Sequence, residues 1–125
     1  MTPTRILVIE DNEQNMYLMR FLLEKHQFSV LEAWDGREGI ALALRECPTM
    51  ILLDIQLPLL DGYAVARELR SHPETAAMPI VAVTSYAMPD DRSKCLAAGA
   101  TDYIEKPIDP ETFVQQISKH LPQNS

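Results

Sequence analysis

The sequence predicts an α/β fold: a three-layer, doubly wound sandwich in which a five-stranded parallel sheet is covered by five helices. Three observations carry that reading. Apolar runs of strand length alternate with segments of helical period, which is the pattern of successive βαβ units. The runs are continuous in Val, Ile and Leu, as strands buried on both faces must be. At 125 residues and 46% hydrophobic composition, the chain suits one core, with roughly two thirds of its unfolded surface buried on folding.

The elements follow in order. Ile6 to Ile9 is the first strand, and Met16, Met19, Leu22 and Leu23 recur at helical spacing behind it. Phe28 to Ala33 is a more mixed strand, as an edge strand can be. Asp35 with Glu38 forms a capping-box pattern ahead of Ile40, Leu42 and Leu44. Met50 to Leu53 is the third strand, and Asp61 precedes a helix carrying Val65 and Leu69. Ile80 to Val83 is the fourth strand; by the alternation, a helix separates it from the fifth, Thr101 to Glu105. Asp109 followed by Pro110 predicts a capped start for the last helix, with Phe113, Val114, Ile117 and Leu121 on its apolar face. Gly36, Pro48, Pro79 and Gly99 mark turns. No repeat or linker interrupts the chain, so residues 1–125 read as one domain with a frayed tail at 122–125.

Composition narrows the function. Charged residues make up 23% in mixed sign, which is too few for disorder. A net charge of −7 without a Lys/Arg cluster argues against nucleic acid as a partner. Cys47 and Cys95 lack metal-ligand spacing and read as small buried or half-buried hydrophobes. The start, Met1-Thr2-Pro3-Thr4-Arg5, lacks a signal-peptide pattern, and no apolar stretch reaches membrane-spanning length. A reducing cytoplasm is the expected location.

Chemistry concentrates at strand ends. Glu10-Asp11 follows the first strand, Asp54 the third, Thr84 the fourth, and Lys106 the fifth. In a parallel sheet these ends share one edge, where open α/β sheets bind ligands. Carboxylates about 4 Å apart repel by roughly 4 kcal/mol per pair at an effective dielectric of about 20, so converging acids need a cation. An all-oxygen set with few protein ligands suits Mg²⁺. Each residue also has a plainer role. Asp11 or Asn12 could be a helix cap, Glu10 a solvated rim charge, Thr84 a β-branched strand end, Lys106 a surface lysine and Tyr103 a half-buried strand aromatic. Their joint occurrence at four strand ends favours a site.

Val8-Ile9-Glu10-Asp11-Asn12, Leu52-Leu53-Asp54-Ile55-Gln56-Leu57-Pro58 with Asp61-Gly62, Val83-Thr84-Ser85, and Tyr103-Ile104-Glu105-Lys106-Pro107 together resemble the receiver domain of bacterial two-component response regulators, over essentially the whole chain. The resemblance implies strand order 2-1-3-4-5, for which a member of this family is the standard example. It implies that Asp54 is the phosphoacceptor, attacking the phosphorus of a phosphohistidine on a histidine kinase or histidine phosphotransfer protein. Asp11 and Asp54 would ligate Mg²⁺ directly, Glu10 through water, and Gln56 through its backbone carbonyl. Lys106 and the Thr84 hydroxyl would hold phosphoryl oxygens. Thr84 and Tyr103 would form the switch that alters the face of the fourth helix, fifth strand and fifth helix, where a downstream protein binds.

The family also docks its kinase on the first helix, so Asn15 and Met16 could be exposed contacts there, although core packing is the plainer role for Met16 and Met19. A cis Lys106-Pro107 bond is implied as well. Leu57 and Ser85 stand where Met and Ala are frequent, and Gln56 and Tyr86 occupy positions that tune phosphoryl lifetime. His26, His72 and His120 fall at helix ends or loops, without a catalytic role.

Other classes fit less well. A flavodoxin-like cofactor binder would place a Ser/Thr/Gly-rich phosphate loop where Glu10-Asp11 stands. A phosphatase of the haloacid-dehalogenase type would have a second Asp two residues past its nucleophile, and this chain has Gln56. The expectation is a phosphoacceptor signalling protein, monomeric or weakly dimeric, rather than an enzyme acting on other substrates. A receiver piece of a hybrid histidine kinase, or a receiver-like module that signals without phosphorylation, would read the same way.

Overall fold

The computed structural model describes residues 4–85 and 89–121. Among them, strands and helices alternate: β1 (Arg5–Ile9), α1 (Glu13–Lys25), β2 (Ser29–Ala33), α2 (Gly36–Glu46), β3 (Met50–Asp54), α3 (Gly62–Ser71), β4 (Ile80–Thr84), α4 (Pro89–Ala98), β5 (Asp102–Glu105) and α5 (Phe113–Ser118). The strands form one parallel sheet in the order β2-β1-β3-β4-β5. The expected tail at 122–125, the first three residues and Tyr86 lie outside the described residues.

Alternation of side chains along each strand sorts the core into two faces. Ile6, Val8, Met50, Leu52, Val81 and Val83 point to α1 and α5, meeting Met16, Met19, Leu23, Phe113 and Ile117. Leu7, Ile9, Ile51, Leu53 and Ile80 point the other way, to Ile40, Val65, Ala66 and Leu69 of α2 and α3. A smaller group, Ile55, Ala82, Cys95 and Ala100, lies under α4, with Tyr63 and Tyr103 packed against it. β3 and β4 are fully buried, β1 is buried from Ile6 on, and β2 is only partly so.

The helix starts largely follow the expected caps. Asp35 Oδ1 accepts from Glu38 N at 2.8 Å, and Glu38 Oε1 reaches back to accept from Trp34 N at 2.6 Å, one residue ahead of the N-cap N–H that a capping box would use. Asp61 Oδ1 accepts from Ala64 N at 2.9 Å. The cap of α1 is Asn12, whose Oδ1 takes Asn15 N at 2.9 Å, which releases Asp11 from that duty.

Several expectations are corrected. Asp109 does not cap α5: its carboxylate takes the N–H of Glu111, residues 110–112 form a turn, and the helix starts at Phe113. Met16, at 1% exposure, takes the plainer of its two expected roles and packs in the core, so the alternative of an exposed contact falls away. Cys47 is exposed, because it sits at the C-cap of α2 in a left-handed conformation (φ 45°) that turns it off the sheet.

Candidate functional site

Register carries the acids together. Ile9 pairs with Leu53, Asp54 with Val83, and Thr84 with Glu105. Glu10, Asp54, Thr84 and Lys106 therefore follow one another across the carboxyl edge of β1, β3, β4 and β5. Two of the acids bend the chain away from the sheet by taking the N–H two residues on: Glu10 Oε2 accepts from Asn12 N at 3.1 Å, and Asp54 Oδ1 from Gln56 N at 3.0 Å. The start of α3 closes on this turn. Gly62 N donates to Ile55 O at 3.0 Å, and a Cβ on Gly62 would lie 2.6 Å from Asp54 O and 2.5 Å from Ile55 Cα. Only glycine permits that approach.

Glu10, Asp11 and Asp54 each offer a carboxylate oxygen, and these oxygens lie within 4.8 Å of one another. Glu10 and Asp54 are buried and Asp11 is exposed, so the cup is lined below and open at Asp11. The solvated-rim role for Glu10 is thereby excluded. At such spacing each pair repels by about 3–4 kcal/mol at an effective dielectric of about 20. Lys106 Nζ answers part of this, at 2.9 Å from Glu10 Oε1 and 3.4 Å from Asp54 Oδ1. The Lys106–Pro107 peptide is cis.

The balance is incomplete. Burial pushes Glu10 up to about 7, with Lys106 opposing and Asp54 adding to the rise. Buried Glu10 Oε1 is met by the Lys106 ammonium at 2.9 Å, a cation that it shares with Asp54. Three carboxylates that share one ammonium leave net negative charge in the cup, which fits a hard divalent cation, for which the donor set is all oxygen.

Thr84 is buried at the end of β4, and its carbonyl accepts from Lys106 N at 2.7 Å. Tyr103 is half-buried on β5, two residues before Glu105, and does not line the cup; it packs against the Cys95 group under α4. Sequence reasoning missed one contact. Gln56, expected to act through its backbone carbonyl, also reaches across the mouth of the cup: its Oε1 accepts from Ser85 N at 3.1 Å and from the Ser85 hydroxyl. Only the position of Gln56 after Asp54 hinted at this.

Fold and site define a doubly wound α/β protein with an acidic cup on its strand ends. The chain belongs to the response regulator receiver domain family, whose model matches residues 6–118, and so to the signalling proteins of two-component systems. It is 40% identical over 117 residues to Protein PilH of Pseudomonas aeruginosa, covering 94% of this chain and 97% of that one. The chemotaxis protein CheY4 of Vibrio cholerae is similar in structure, with a TM-score of 0.91 at 25% identity over 96% of this chain and 100% of that one. The receiver domain of sensor histidine kinase PA1611 from Pseudomonas aeruginosa, solved with a magnesium ion coordinated in its active-site cleft, matches at TM-score 0.87 and 34% identity, over 96% and 98% of the two chains. Receiver domains bind Mg²⁺ at an acidic site, and the Glu10–Asp11–Asp54 cluster is compatible with one. Among the described residues, no helix is long and apolar enough to cross a membrane.

Proposed function

We propose that this chain is a phosphorylation-dependent signalling switch in which Asp54 accepts a phosphoryl group from a histidine kinase or histidine phosphotransfer protein. The observation that carries the reading is the meeting of Glu10, Asp11, Asp54 and Lys106 in one cup beside Thr84. In the transfer, an Asp54 carboxylate oxygen forms a bond to phosphorus while the phosphorus–nitrogen bond of the phosphohistidine breaks. The electron pair of that bond leaves on the imidazole, and an acyl phosphate remains. Phosphoryl transfer asks little more than alignment and charge neutralisation. Lys106, already 3.4 Å from Asp54 Oδ1, holds one equatorial oxygen, and the Thr84 hydroxyl with nearby backbone N–H groups holds another.

Asp11, Asp54, Glu10 and the Gln56 carbonyl are the residues that would hold Mg²⁺, supported by the three clustered carboxylates that share one ammonium and by the magnesium in the PA1611 receiver. Bound there, it supplies positive charge against the phosphoryl oxygens. Thr84 and Tyr103 pass the change to the α4–β5–α5 face, which meets a downstream protein. The chain acts in the cytoplasm as a single receiver unit, monomeric or weakly dimeric, without nucleic acid or membrane, and its own catalysis is limited to phosphotransfer and slow autodephosphorylation. Incubation with acetyl phosphate and Mg²⁺ followed by mapping of the modification tests this. Label on Asp54, lost in Asp54→Asn and with EDTA, is expected; label elsewhere, or none, overturns it.

A further inference from the structure

The strand order puts β2 at the rim of the sheet, hydrogen-bonded to β1 alone. On the face covered by α1 and α5, Phe28 and Val30 are still packed against the core. Glu32 and Trp34 continue that same side-chain parity past the cover of α1. A groove of about 490 Å³ lies there, bounded by Tyr17, Arg20, Phe21, Glu32 and Trp34. Tyr17, Phe21 and Trp34 are 70%, 51% and 39% exposed, and they account for every exposed aromatic side chain among the described residues. Tyr17 and Phe21, one helical turn apart, stack at 6.3 Å between centroids.

The rim gives the groove a sign. Glu13, Glu24 and Glu32 face a single guanidinium, Arg20, which is held 3.1 Å from Glu24 and 2.8 Å from Glu32. Two negative charges remain beside three aromatic faces, on a chain already at −7. A second copy of this chain would bring the same negative groove against itself. A neutral apolar occupant would strip water from the carboxylates without replacing it. An arginine answers both demands, stacking its plane on the rings while offering donors to the acids.

We infer that this groove is a docking surface for an apolar, arginine-bearing segment of a partner protein. β2 and β5 are opposite rims of the sheet, so the segment binds clear of the α4–β5–α5 face, and the inference stands apart from the chemistry of Asp54. Trp34 is the chain's one tryptophan, which makes its emission a direct reporter.

The test titrates the full chain with the peptide acetyl-Leu-Arg-Leu-Arg-Leu-amide and with the same peptide carrying citrulline for arginine, which keeps the shape and removes the charge. A saturable change in Trp34 emission is expected with the arginine peptide. Affinity should fall tenfold or more with the citrulline peptide, and likewise in the Glu24→Gln/Glu32→Gln variant, with amide shifts confined to α1 and residues 32–34. Absence of saturation at millimolar peptide, or equal binding of both peptides, overturns the inference. So does concentration-dependent dimerisation of the peptide-free chain that moves the same signals, because it assigns the groove to a second copy.

Discussion

Replacing Glu10 by glutamine should stabilise the metal-free protein at about pH 8 and do much less at about pH 5. Glutamine keeps the shape of the side chain and an oxygen for the Asn12 N–H, but removes the buried charge. Burial raises Glu10 from 4.5 to about 7 in the folded chain, so between those values the folded state holds a proton that the unfolded state has lost. Stability from this group is complete below about pH 4.5 and is lost as the pH rises through about 7. The full shift corresponds to about 3 kcal/mol, and solvent reaching the open side of the cup reduces this to about 1–2 kcal/mol. Urea unfolding of both proteins in EDTA at the two pH values measures the difference for the Glu10–Asp54–Lys106 cluster, because titrating groups away from the cup cancel. With Mg²⁺ added, the wild type should gain more stability than the variant. Equal effects at both pH values, or a less stable variant at about pH 8, would refute the argument that Glu10 carries an unrelieved charge.

Leu59 adopts φ 67° and is fully exposed, so Leu59→Gly relieves a left-handed conformation costing about 1–2 kcal/mol and gives up little burial. After the extra chain entropy of glycine, a gain of about 0.5–1 kcal/mol in chemical denaturation is expected. Gly62→Ala places a methyl against the backbone of Asp54 and Ile55; a loss of about 1–3 kcal/mol should accompany slower labelling by acetyl phosphate. The Arg70 guanidinium donates to the carbonyls of Gly99 (2.8 Å), Ala76 (3.0 Å) and Met78 (2.6 Å), tying the end of α3 to the loops on either side of β4 and α4. Arg70→Met should cost about 2–3 kcal/mol, read by thermal and urea unfolding, while Asp54 can still be labelled.

The sheet was legible because parallel strands must be apolar on both faces, so Ile6 to Ile9, Met50 to Leu53 and Ile80 to Val83 announce themselves. The site was legible for a related reason: a charge placed directly after such a run has nowhere to go but the strand end. What the sequence left open depended on contacts between distant segments. Either Asp11 or Asn12 could cap α1, and only the turn set by Glu10 and Asn12 N–H decides it. Asp109-Pro110 is a plausible helix start, but the chain spends 110–112 in a turn before Phe113 can enter the core. Arg70 looks like a surface residue of an amphipathic helix until the loops fold over it. Tyr17 and Phe21 share one face of α1, but Trp34 follows a separate strand pattern, and its meeting with them follows only from β2 lying at the rim.

The route from the cup to α4 is short because β4 and β5 serve both. Thr84 ends β4 and Lys106 directly follows β5 at the cup, joined by the Lys106 N–H to the Thr84 carbonyl. Two residues back, Ala82 faces Tyr103 across the same pair, in the small cluster that also holds Ile55, the neighbour of Asp54, and Cys95 of α4. The cluster is built from small side chains, Ala82, Cys95 and Ala100, so little bulk separates the aromatic ring from the strand end. In the proposed switch, a phosphoryl group on Asp54 adds negative charge beside the Glu10 carboxylate, which already shares the Lys106 ammonium with Asp54. That charge is met by drawing Lys106 and the Thr84 hydroxyl toward it. Both moves displace the ends of the strands on which Ala82 and Tyr103 pack, so α4 feels the chemistry through packing across about two residues of strand, roughly 7 Å.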